Sequence, residues 1–91
     1  MRVARRFLVS GRVQGVGFRN FIQDAAVRDG VTGWVRNLPD GCVEAHAEGE
    51  REAVLRLERA IRSGPRGARV DTVTVDDEHP TGAYGAFRVT T

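Results

Sequence analysis

Two stretches of this 91-residue chain carry residues whose types and spacing could do chemistry together. The first is Gly11-Arg12-Val13-Gln14-Gly15-Val16-Gly17, followed at once by Phe18 and Arg19. A glycine-rich turn that opens a helix points several backbone N–H groups at one place, and glycine lets the backbone curl around a ligand without side-chain clash. That combination is an anion cradle. Arg19 falls in the first helical turn, where the helix dipole disfavours a cation, so it is locally inconsistent unless an anion shares the site. The second stretch ends in Asn37, just before the turn Leu38-Pro39-Asp40-Gly41. Asparagine alone is common turn chemistry; its interest lies in which end of the fold it occupies.

Other phosphate loops are excluded by the same residues. Gly15-Val16-Gly17 is followed by Phe18-Arg19-Asn20, with no third glycine for a dinucleotide fingerprint and no Gly-Lys-Ser/Thr ending. All fourteen basic residues are arginine, which removes Schiff-base chemistry and any phosphate-binding lysine. Arginine must therefore do any anion binding, and the formal charge of +2 mildly favours anionic ligands. His46 and His79 are far apart with no ligand-like neighbours, so no metal is implied, and His46 reads as an exposed strand residue. Cys42 is alone, permits no intramolecular disulfide, and reads as a small strand residue.

The elements that position these residues follow from periodicity. Val3 to Ser10 alternates in strand formers, and Phe18, Phe21, Ile22, Ala25 and Ala26 repeat at helical spacing up to Asp29-Gly30. Val31 to Leu38 and Gly41 to Ala47 form a hairpin around Pro39-Asp40-Gly41. A second helix from about Glu50 to Arg62 buries Val54, Leu57 and Ile61. Val70 to Val75 and Ala86 to Val89 supply the last strands, with Asp76 to Gly85 as a polar connection. The order β-α-β-β-α-β, with a possible extra C-terminal strand, predicts a split βαβ arrangement: two helices over one face of an antiparallel sheet. The first two strands then run the same way, and the glycine loop and Asn37 lie at one end.

Size and composition agree. Ninety-one residues support a single domain, here residues 1–91, and 41% apolar with 29% charged residues is ordinary globular composition. Phe7-Leu8-Val9 after the N-terminal arginines is too short for a signal-peptide core, so a cytoplasmic protein with no membrane partner is expected.

Gly11 to Arg19, together with Gly33-Trp34-Val35-Arg36-Asn37-Leu38-Pro39-Asp40-Gly41, resembles the two signatures of the acylphosphatase family. Gly64-Pro65 through Val70 and Phe87 resemble later landmarks, so the likeness spans essentially the whole chain. The C-terminal Thr90-Thr91 departs from the bulky aromatic end of many relatives, and Cys42 from a commoner small or polar residue. The resemblance implies a ferredoxin-like α/β sandwich of α+β class and hydrolysis of the carboxyl-phosphate anhydride of acyl phosphates. It implies that the amides of Gln14, Gly15, Val16, Gly17, Phe18 and Arg19, with the Arg19 side chain, hold the substrate phosphate, or another small anion. Asn37 would orient the attacking water. No cofactor or metal is implied, and a monomer is expected.

These residue types suffice for that reaction. A carboxylate leaving group has a conjugate acid of pKa roughly 4, so no general acid is needed. What remains is charge neutralisation and an in-line water, and an asparagine amide can both accept from and donate to that water. An RNA-recognition domain shares the order of elements, but Cys42 to Ala47 carries no stacking aromatic on the third strand, so no nucleic-acid partner is expected. The acylphosphatase-like domain of hydrogenase maturation proteins belongs to much longer chains, and a purely structural module would not need Arg19 and Asn37 together.

Overall fold

The computed structural model describes residues 1–91. Its elements are β1 (Arg2–Arg12), α1 (Phe18–Arg28), β2 (Thr32–Asn37), β3 (Val43–Glu50), α2 (Arg51–Ser63), β4 (Arg69–Glu78) and β5 (Phe87–Val89). They form one sheet in the order β4-β1-β3-β2-β5, and the fold is the predicted ferredoxin-like α+β sandwich. β1 is antiparallel to β3 and β4, and β3 to β2, so β1 and β2 run the same way, as each crossover requires.

The C-terminal strand exists, and it changes one expectation. β5 pairs parallel with β2, so the sheet is mixed rather than wholly antiparallel. The reason lies in the connection: the chain leaves β4 and enters β5 at the same end of the sheet, so β5 runs opposite to β4 and hence along β2.

Period-2 alternation sorts the sheet into two unlike faces. Phe7, Val9, Val35, Val43, Ala45 and Ala47 face the helices and bury themselves against Phe18 and Ile22 of α1 and Val54, Leu57 and Ile61 of α2. Alanines at 45 and 47 leave room for the larger helix side chains, and each buried Phe, Leu or Ile contributes about 1.5–3 kcal/mol. The apolar positions predicted for both helices are thus the core, with Phe21 only partly buried.

The opposite face carries charge. Glu44 receives Arg6 Nε at 2.6 Å and Arg36 Nε at 2.8 Å. Burial pushes the Glu44 carboxyl up, but these two guanidinium groups outweigh it and leave it below the usual carboxylate range.

His46 is a correction: it is only 7% exposed. Its Nε2 lies 2.8 Å from Glu48 and its Nδ1 2.7 Å from Glu78. The Trp34 ring stacks on it at 6.1 Å and the Tyr84 ring lies at 5.3 Å. The cover comes from residues 79–86, a strap that crosses the charged face and docks on Glu48 through Thr81 N (2.9 Å), Thr81 Oγ1 (2.9 Å) and Gly82 N (3.0 Å). β4 also outruns its predicted end at Val75, because Arg5 and Arg6 of β1 pair with Asp77 and Asp76.

Candidate active site

The chain from Val13 to Phe18 is pinned at both ends by buried side chains, so its middle is free to present backbone. Gly15 and Gly17 take left-handed φ values of 73° and 76°, on either side of Val16. Conformations of this kind turn successive N–H groups towards one concavity. None of the amides of Gln14, Gly15, Val16 and Gly17 donates to a protein acceptor. Gly17 caps α1 without a side-chain bond, which leaves the amides of Phe18 and Arg19 as orphan donors of the first helical turn. The first turn contains no acidic residue.

Arg19 stands where this positive end is strongest. Elsewhere in the molecule Arg5 pairs with Glu58, Arg36 with Glu44, Arg56 with Asp29 and Arg62 with Glu58. Arg19 has no such partner. It lines a cleft of about 110 Å³ with Val13, Gly15, Gly17, Phe18, Asn20, Asn37 and Val89. Arg2, Arg12, Arg28, Arg59, Arg66 and Arg88 are unpaired too, but none of them lines that cleft.

Asn37 closes the other side of that cleft. β2 and β1 finish at the same end of the sheet, so the residue after Val35 and Arg36 arrives beside the loop, as the topology predicts. Its Oδ1 is the single buried side-chain polar atom in the protein without a hydrogen-bond partner. Leaving such an acceptor unmet costs about 1–3 kcal/mol, so a partner from outside the protein is called for.

Gln14 holds these two halves at a fixed spacing. Its Nε2 donates to Leu38 O at 2.8 Å and to Cys42 O at 2.9 Å, the two carbonyls at the base of the hairpin turn. Cys42 itself lies in that turn, one residue before β3, because its N–H donates to Asp40 Oδ1 at 3.0 Å. Burial pushes its thiol up and Asp40 adds to this, so the group stays protonated at neutral pH and is a poor nucleophile.

Of the predicted residues, the structure brings Gly15, Gly17, Phe18, Arg19 and Asn37 together on the cleft, whereas Gln14 and Val16 do not line it. Sequence reasoning missed Val13, Asn20 and Val89 in the wall and the side-chain role of Gln14. Val89 was detectable only as a strand residue, since nothing in the sequence says which strand β5 joins. No cluster of three or more His, Cys, Asp or Glu side chains is placed to hold a metal ion. No helix is long and apolar enough to cross a membrane.

The family model described as Acylphosphatase matches residues 5–89. The chain belongs to the acylphosphatase family. It is 57% identical over 88 residues to an acylphosphatase of Anaeromyxobacter dehalogenans, covering 97% of this chain and 95% of that one. Among solved structures it is similar to acylphosphatase from Bacillus subtilis, with a TM-score of 0.94 and 35% identity over 98% of this chain and 99% of that one. It also resembles full-length HypF, with a TM-score of 0.88 and 26% identity, but there it covers only 12% of the larger chain. Acylphosphatases are hydrolases that act on the acid anhydride of acyl phosphates.

Proposed function

We propose that this acylphosphatase hydrolyses small acyl phosphates to a carboxylate and inorganic phosphate in the cleft that Asn37 and Val89 close against the loop and the start of α1. The observation that carries this reading is the convergence on that cleft of an unpaired Arg19, free loop amides and a partnerless Asn37 oxygen.

The amides of residues 14 to 19 take the phosphoryl oxygens, and the Arg19 guanidinium offers its planar fork to the same group. Charge on those oxygens is then neutralised by groups fixed before the substrate arrives, the arrangement that electrostatic catalysis needs. Asn37 turns about its soft terminal bond to give Oδ1 to a proton of the attacking water. It positions that water without taking its proton. The carboxylate leaves unprotonated, which is why no histidine is needed at the site. On this reading the enzyme needs no metal or other cofactor, and it works as a monomer of one domain, residues 1–91. A cytoplasmic location suits its lone protonated thiol.

The test is benzoyl phosphate hydrolysis by the purified protein in excess chelator, with Arg19→Ala beside it. Fast hydrolysis that the substitution abolishes is the expected result. Folded but inactive protein overturns the reading, and activity lost to chelator but restored by metal overturns the metal-free mechanism.

A further inference from the structure

Gln14 contributes to the site twice, and only its backbone has been used so far. Its amide belongs to the cradle, whereas its side chain spans to the turn that follows Asn37. These two contacts are the only side-chain hydrogen bonds between the loop and the hairpin turn. Both N–H protons of one NH₂ group are spent on two carbonyls of the opposite half, and each carbonyl already serves the turn. Leu38 O accepts from Gly41 N at 3.1 Å, and Cys42 O from Leu38 N at 2.8 Å. The link is therefore bidentate and ends on an already rigid segment.

Asn37 has the opposite character. Its side chain makes no hydrogen bond within the protein, so its placement depends on the backbone that carries it. That backbone continues directly into Leu38, whose carbonyl Gln14 grips.

We infer that the Gln14 side chain is a positioning residue for hydrolysis, setting the distance between the cradled phosphorus and the water held by Asn37. This rests on the reading above and assigns it a further part. Misplacing a reacting group by about 1 Å costs roughly 100-fold in rate, so a single link between the two halves has kinetic weight even though it touches neither substrate nor water. Removing the side chain leaves the Gln14 N–H in the cradle, so phosphate binding should survive.

The experiment is a double-mutant cycle in benzoyl phosphate hydrolysis. Gln14→Met keeps the length of the side chain and removes both donors; Gln14→Leu replaces it should the first variant fail to fold. The expected result is a kcat about 10- to 100-fold lower, with the inhibition constant of inorganic phosphate within about twofold of wild type. In an Asn37→Ala background the same substitution should change the residual kcat by less than about twofold, since it acts through a group already gone. Equal losses in both backgrounds, or an unchanged kcat in the wild-type background, overturn the inference. Wild-type protein without activity, or Asn37→Ala as active as wild type, would instead bring down the reading of the site itself.

Discussion

His46 Nε2 stands 2.8 Å from Oε2 of Glu48, a carboxylate with no solvent exposure at all. Burial pushes Glu48 up, but hydrogen bonds from His46, Gly82 and Thr81 outweigh it and hold the group at about 2, against an ordinary 4.5. Its folded value is depressed, so the stability it contributes is complete above the unfolded value. That stability is lost as pH falls from about 4.5 towards 2.

Thermal unfolding followed from pH 6 down to pH 2.5 checks this. Wild-type Tm should fall across the range, while Glu48→Gln should start lower at pH 6 and fall less steeply. The loss at pH 6 should be about 3 kcal/mol, typical of breaking a buried pair by removing one member. Some slope should remain in the variant from Glu44, also held low by its two arginines. Parallel curves for the two proteins would mean that Glu48 does not titrate as argued.

Arg19→Ala should separate function from stability. It removes a cation from the positive end of α1, where the dipole interaction is unfavourable by about 0.3–1 kcal/mol, so Tm should hold or rise slightly. Turnover should vanish, and phosphate inhibition should weaken at least about tenfold with the loss of charge-assisted bonds. Arg19→Lys should restore little, because a point charge cannot reproduce the fork. Calorimetry and phosphate inhibition together decide the matter.

Asn37→Ala should behave differently. Phosphate inhibition is expected within about twofold of wild type, while kcat falls roughly 100- to 1000-fold, the scale of losing one preorganised polar group. The substitution also deletes the one buried unpartnered acceptor, so Tm should not drop. Equal loss of phosphate affinity here and in Arg19→Ala would contradict the division of labour.

Gly15→Ala tests whether the curl of the loop matters. A Cβ at Gly15 meets nothing within 4 Å, so the cost is the left-handed backbone alone, about 1 kcal/mol or 4–8 °C in Tm. Gly67, with φ of 91° and the same open surroundings, is the control. Both alanine variants should lose similar stability, but only Gly15→Ala should lose phosphate affinity, about tenfold. Titration of each with phosphate, read by inhibition, distinguishes them.

The site was legible from sequence because its parts are local: a glycine loop before a helix, an arginine in that helix's first turn, and an asparagine ending a strand. Topology alone then put them together. What periodicity could not reveal was contact between distant segments. His46 looked like an exposed strand residue, but Trp34 of β2 stacks on it and the strap, which has no periodic pattern, crosses over it. The end of β4 looked like connection because Asp76 and Asp77 are polar, yet Arg6 and Arg5 make strand pairing there favourable. Gln14 looked like one loop amide among several, since its partners lie 24 and 28 residues away.

The strap between Glu78 and Phe87 has little slack. β4 and β5 are at opposite edges of the sheet, four strand intervals apart, which is about 19 Å at 4.8 Å per interval. Nine Cα-to-Cα steps at full stretch reach about 30 Å, and the same residues wound as a helix would span only about 13 Å. The chain must cross extended, and the lateral distance alone consumes roughly two-thirds of its reach. Shortening the segment by four or five residues would leave at most about 18 Å of reach, so Phe87 could not get to β2 and the cleft would lose the wall that Val89 supplies. Added residues would only bulge into solvent. The length of this connection is accordingly bounded from below and not from above.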